Sequence, residues 1–146
     1  MTDFQVIYDA FLGKMLDDEW GYWEEEDIKD DWKSLLKGAL PWFKFPRVSL
    51  DTEIDSVTGE ERFTSELNNE EVQILASYMK CEWLNRTILT WENVKPLYEE
   101  RDFSQANLLD KFNQMLDKEK KNAARLEALY YRSIKRKPFD YTKLAT

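Results

Sequence analysis

Four stretches of this 146-residue chain set apolar side chains three and four residues apart, a period that commits most of it to packed helices. The first runs Phe4, Ile7, Tyr8, Phe11, Leu12, Met15 and Leu16, with Thr2 or Asp3 as its cap and an end expected between Asp17 and Glu19. The second, Ile28, Trp32, Leu35, Leu36, Ala39 and Leu40, follows the acidic run Glu24 to Asp27 and stops at Pro41. Acids in a first turn complement the positive end of the helix dipole, and proline cannot continue the hydrogen-bond ladder.

Asn68 with Glu71 three residues on reads as a capping box. It opens the third stripe, Val72, Leu75, Ala76, Met79, Trp83, Leu84 and Ile88, and predicts a helix over about 69–89. Trp91 to Asp102, interrupted by Pro96, reads as an irregular connection. Ser104 then caps a long segment carrying Leu108, Leu109, Phe112, Met115, Leu116, Ala123, Leu126, Leu129 and Tyr130. A helix over roughly 104–134 would be about 45 Å long. Its stripe thins at Glu119-Lys120-Lys121-Asn122, so its distal half is expected to project from the bundle. The fold class expected is mainly α: a bundle of about four helices with a long C-terminal helix.

Between Val48 and Asn68 the helical period disappears. Val57-Thr58-Gly59-Glu60, flanked by Ile54 and Phe63, reads as the turn of a short protruding hairpin or as a loop, an insertion near 48–66 too polar to belong to a core. Length allows one domain, 1–146, with 135–146 as a C-terminal docking tail. Six Trp, eight Phe and seven Tyr are more large rings than a core of this size needs, so some are expected to meet a partner.

Charge is unevenly spread. Residues 1–31 hold 11 acids and 2 bases, whereas residues 118–146 hold 3 acids and 9 bases, within a chain of net charge −8. Opposite ends can attract, within one copy or between copies, or each can be a solvated helix face.

No histidine occurs, which removes Ser-His and Cys-His nucleophilic machinery and every histidine-containing zinc site. The single cysteine, Cys81, closes no intramolecular disulfide and lies off the third stripe, so a partly exposed, unreactive thiol is expected. The first eleven residues lack the basic and apolar regions of a signal peptide, which reads as an intracellular setting. Asp51, Glu53 and Asp55 alternate like calcium-loop ligands, but Ser56 stands where glycine is needed and Arg62 where a bidentate glutamate is needed. Asn85-Arg86-Thr87 fits a glycosylation sequon only inside a predicted helix. Gly13, Gly21, Gly38 and Gly59 form no phosphate-cradling loop. Carboxylate pairs such as Asp17-Asp18, Glu25-Glu26 and Asp30-Asp31 are what 29 acids produce by chance. The chain therefore reads as having no enzyme activity, catalytic residue, metal or cofactor.

The order of parts resembles that of a known family. A short helix bearing Tyr8 and Phe11 leads to an acidic loop, a second helix, a polar excursion, and Asn68-Asn69-Glu70-Glu71-Val72-Gln73-Ile74-Leu75-Ala76. Met79, Glu82-Trp83-Leu84, Asp102-Phe103-Ser104-Gln105-Ala106-Asn107 and a basic helix ending in Tyr130-Tyr131-Arg132 follow. Together these resemble the small head-tail connector proteins, the adaptor or neck proteins, of tailed bacteriophages. The excursion from Val48 to Ser65, rich in Asp and Thr, departs from the family's pattern.

The resemblance implies a virion structural protein at the head-tail junction, assembled in the host cytoplasm. It would form a twelvefold homo-oligomeric ring under the portal protein after DNA packaging and prolong the DNA channel. The ring would offer an attachment platform to a head-closure or tail component. Double-stranded DNA would pass through without specific binding, and no membrane would be involved. The portal contact is expected at Tyr130, Tyr131, Arg132, Lys135, Arg136, Phe139 and Tyr141, whose other reading is core aromatics beside a solvated basic helix end. Trp20, Tyr22 and Trp23 either close the end of the bundle or anchor one subunit on the next. A small acidic helical regulator that binds protein or DNA through its basic C-terminal end is the alternative.

Overall fold

The computed structural model of the chain describes residues 1–15, 20–94 and 102–136, with side chains described up to residue 93 and from 108 to 132. It is mainly helical: β1 (Thr2–Asp3), α1 (Phe4–Gly13), α2 (Glu25–Ala39), β2 (Thr52–Ile54), β3 (Glu61–Phe63), α3 (Asn69–Val94) and α4 (Asp102–Arg136). A single 3-10 turn, Leu40–Trp42, follows α2 and holds Pro41.

The central element is α3, against which α1, α2 and α4 all pack. Its buried residues, Val72, Ile74, Leu75, Ala76, Met79, Cys81, Trp83, Leu84 and Ile88, reach round most of its circumference. That is what a helix surrounded by others requires. Each large side chain so buried contributes about 1.5–3 kcal/mol relative to exposure. This corrects the expectation for Cys81, which is buried: the period showed one face of α3, and α4 covers a second. Burial pushes the Cys81 thiol up to about 12.

The capping box at the start of α3 is formed in both directions. The Asn68 N–H donates to Glu71 Oε1 at 2.8 Å, and the Glu71 N–H donates to Asn68 Oδ1 at 2.9 Å. Helix α3 then runs past the expected end near 89 to Val94, so residues 91–94 are helical rather than irregular. At the other end of the bundle, α1 stops at Gly13. Asp3 stands at its N-cap position without a side-chain cap bond, because Thr2 and Asp3 are drawn into a strand. Thr2 instead ties the chain beyond β3, donating to the Ser65 carbonyl at 3.2 Å and accepting from the Leu67 N–H at 2.8 Å.

Helix α4 lies antiparallel along α3, pairing its late residues with the early residues of α3. It starts at Asp102, two residues before Ser104, and its 35 residues correspond to about 52 Å. The distal half does not project. Where the apolar stripe thins, Glu119 turns into the α3 interface and accepts from Ser77, with Lys80 Nζ at 3.6 Å and Asn122 Nδ2 at 3.3 Å. A buried carboxylate is tolerated because these donors replace its water. Ala123 and Tyr130 are fully buried beyond it.

The insertion forms a hairpin, but its base belongs to the core. β3 sits between β1 and β2, both antiparallel to it, pairing Thr2 and Thr52 with Phe63. One apolar residue in the Glu61-Arg62-Phe63 alternation is enough to turn a face inward. The Phe63 ring is fully buried 4.9 Å from that of Phe4. On the opposite face Arg62 bonds Glu53 at 3.0 Å and Asp55 at 3.4 Å. The turn closes through Gly59, whose φ of +71° suits a residue without Cβ.

Candidate partner-binding surface

The chain leaves α2 through Pro41 into Trp42-Phe43-Lys44-Phe45-Pro46-Arg47, and this strap crosses α3 and the C-terminal half of α4. Its side chains divide between inside and outside. Phe43 is buried edge-on to Tyr130 at 5.5 Å, while Trp42 and Phe45 remain 47% and 70% exposed. Phe45 meets the ring of Tyr131 at 6.5 Å.

Polar atoms fasten the strap. The Arg47 N–H donates to the Tyr130 hydroxyl at 2.7 Å, and that hydroxyl donates to Glu71 Oε2 at 2.8 Å. The Arg47 guanidinium lies 5.4 Å from the centre of the same ring, a cation–π distance. Glu71 thus serves two structures at once, capping α3 through one oxygen and holding α4 through the other. At the other end of the strap Trp42 stacks on Tyr78, centroids 6.2 Å apart and planes inclined by 20°, and its Nε1 donates to Glu82 Oε1 at 2.7 Å. Glu82 reaches across because Gly38 lies beneath it: a Cβ there would come within 2.9 Å of Glu82 Oε2. Tyr78 in turn donates to Glu127 of α4.

The surroundings of the two tyrosine hydroxyls keep both of them protonated. Burial, with the Glu71 carboxylate adding to it against the Arg47 N–H, pushes the Tyr130 hydroxyl up to about 12. Burial and then Glu127 raise that of Tyr78 as well. Hydroxyls held this way stay protonated at neutral pH and act as hydrogen-bond donors. Among the described residues no group of three carboxylate or thiol side chains is arranged to hold a metal ion, and no helix is long and apolar enough to cross a membrane.

The residues expected at a portal contact separate. Tyr130 is fully buried, so it braces α4 against the strap from within. Tyr131 is half-buried, its ring 6.5 Å from that of Phe45, and Arg132, the next residue of α4, is exposed. Lys135 and Arg136 belong to the last turn of α4, their side chains outside the described set, and Phe139 and Tyr141 lie outside the described residues. The proposed subunit anchor also divides. Trp20 is buried between Phe11 and Trp32, its Nε1 donating to Asp31 at 2.8 Å, so it closes the bundle end. Tyr22 and Trp23 remain on the surface.

Trp42, Phe45, Arg47 and Tyr78 were not among the expected site residues. Three aromatic residues within four positions, between Pro41 and Pro46, are the signal that marks the strap in the sequence. No family model matches the chain, and neither the curated proteins nor the solved structures include one that does.

Proposed function

We propose that this protein is a non-catalytic assembly subunit, a head-tail connector adaptor that forms a ring under the portal of a tailed bacteriophage. In this role the ring extends the DNA channel and seats the next neck or tail component. The observation that carries the reading is the surface formed by the exposed Trp42 and Phe45 with the half-buried Tyr131, fastened by Tyr130, Glu71 and Glu82. Fixed aromatic rings ringed by charge are what protein interfaces use as anchors, because little side-chain entropy is lost on docking. The order of parts along the sequence supports the choice of family, as does a mainly helical fold with a long C-terminal helix. The net charge of −8 supports a channel wall that makes no locking contacts with phosphates.

Sedimentation velocity of the chain, alone and mixed with portal rings, at moderate and high salt tests the proposal. The expected result is co-sedimentation with the portal as a heavier ring, weakened by salt and lost in a Trp42→Ser, Phe45→Ser double variant. Truncation after Arg132 separates the strap surface from the C-terminal tail: loss of binding on truncation alone assigns the contact to the tail. A chain that sediments unchanged with portal at every salt concentration defeats the adaptor reading.

A further inference from the structure

An open groove of about 410 Å³ lies between the end of α1 and the α3–α4 pair. Its floor is apolar, formed by Met15, Trp83, Phe112 and Met115, with the Trp83 and Phe112 rings edge-on at 6.4 Å. Its rim is cationic, formed by Lys14, Lys80 and Lys111, and no carboxylate is among the described residues that line it. Lys80 is engaged, 3.6 Å from Glu119. Lys14 and Lys111 have no ion-pair partner among the described residues. The groove therefore asks for a ligand with apolar rings and negative charge in close sequence.

The same chain carries such a ligand at the foot of α2. Tyr22 is wholly exposed, Trp23 is 42% exposed, and the acids Glu24, Glu25, Glu26 and Asp27 all face solvent. Only Glu25 has an ion-pair partner among the described residues, Lys29 at 3.9 Å. The segment is held ready: the Trp23 N–H donates to the Trp20 carbonyl at 3.2 Å, and Trp20 is locked through Asp31 to Arg86. A preorganised knob gives up little entropy when it docks.

We propose that the groove receives the segment Tyr22–Asp27 of a second copy of this chain. Trp23 enters the apolar floor, and the carboxylates of Glu24, Glu26 and Asp27 face Lys14 and Lys111. Knob and groove are different surfaces of one chain, so each copy carries both halves of the contact. The inference rests on the assembly reading above and names the surface through which copies meet.

The test uses the full chain without portal, sedimented from micromolar to millimolar concentration. Two charge-reversed variants, Lys14→Glu with Lys111→Glu and Glu24→Lys with Glu26→Lys, are compared alone and mixed, their helical circular dichroism checked against the parent. Self-association of the parent should weaken by about tenfold or more in either variant and in high salt, and return when the two variants are mixed. Independently, chains carrying Trp23→Cys and Met115→Cys should form a mixed disulfide dimer on oxidation, while the buried Cys81 stays out of the reaction. Association that survives both reversals overturns the proposal. So does a monomeric parent whose Trp23→Cys and Met115→Cys chains fail to cross-link, an outcome that leaves the groove to the same chain or to another protein. If portal binding fails while the salt-sensitive self-association stands, the portal reading falls and the groove contact remains.

Discussion

The cluster around Trp20 and the cluster around Trp42 are built from the same kinds of ring, yet one is shut and the other half open. In the first, rings from α1 and α2 converge: Phe11 and Tyr8 are buried, and Trp20 caps them against Trp32. Its polar tip is satisfied by Asp31, which Arg86 of α3 holds in turn. In the second, the rings come from the end of the 3-10 turn and the strap that follows it, where no helix face holds them to one side. Phe43 goes inside, while Phe45 and much of Trp42 stay outside. The faces of α1 and α2, with Trp20 from the turn before α2, gather aromatic residues into one interior, whereas the turn and strap after α2 divide them between a core and a surface.

Removing the ring from each cluster is the strongest way to break this contrast. Trp20→Ala should destabilise the chain by about 3–5 kcal/mol, as large truncations of buried rings do. Trp42→Ala should cost less than about 1 kcal/mol in stability. Urea denaturation followed by circular dichroism compares the two, and equal losses would mean the strap is as much core as the bundle end.

Tyr130 sharpens the contrast, because it joins the half-open cluster to the interior. Tyr130→Phe keeps the ring but leaves the Glu71 carboxylate and the Arg47 N–H without their shared hydroxyl. A loss of about 1–3 kcal/mol is expected on denaturation, and a neutral result would show that water enters beneath the strap.

The shut side also carries a pH dependence. Burial alone would raise the Glu61 carboxyl, but hydrogen bonds from Lys33 and Lys37 hold it down at about 2, below its ordinary 4.5. Asp31 is also lowered: burial opposes ionisation, and the bonds from Arg86 and Trp20 overcome it. A carboxyl depressed in the folded state contributes stability above its unfolded value and loses it as the folded group is protonated. The urea midpoint should therefore fall as pH drops from about 4.5 toward 2, and Glu61→Gln should flatten part of that fall. A midpoint constant across the window would show that neither carboxylate is tied as described.

The smallest expected effect lies on the exposed strap. Phe45→Ser should change stability by no more than about 0.5 kcal/mol. On the adaptor role proposed above, co-sedimentation with portal rings should still weaken, and a stability loss as large as that of Tyr130→Phe would assign Phe45 to the core.

Much of this architecture is legible in the sequence. The stripes at Phe4–Leu12, Ile28–Ala39 and Val72–Ile88 mark the faces that are buried, and Asn68 with Glu71 marks the start of α3. Pro41 marks the end of α2. Each of these features acts over one or two helical turns, within reach of local sterics and hydrogen bonding. The burial of Cys81 was not legible, because a period reveals one buried face and α3 has several. Glu119 was misread for a related reason: a polar residue among lysines looks solvated until Ser77 and Lys80 arrive from another helix. Of the candidate site, the Tyr130-Tyr131-Arg132 run is visible in the sequence, and so is the aromatic run between Pro41 and Pro46, but without a helical period that run does not show which of its rings face outward or that it packs on Tyr130.

Local periodicity, caps and proline determined where the helices run and which stripe each turns inward. Tertiary packing alone decided that β1 recruits the hairpin, that Tyr130 is interior while its neighbour Tyr131 lies at the rim, and that Trp42 and Phe45 remain exposed. Those outcomes depend on partners 40 to 83 residues away in the chain, such as Glu82 for Trp42 and Arg47 for Tyr130. Contacts of that span leave no local pattern in the sequence, because their free energy arises only when two finished elements meet.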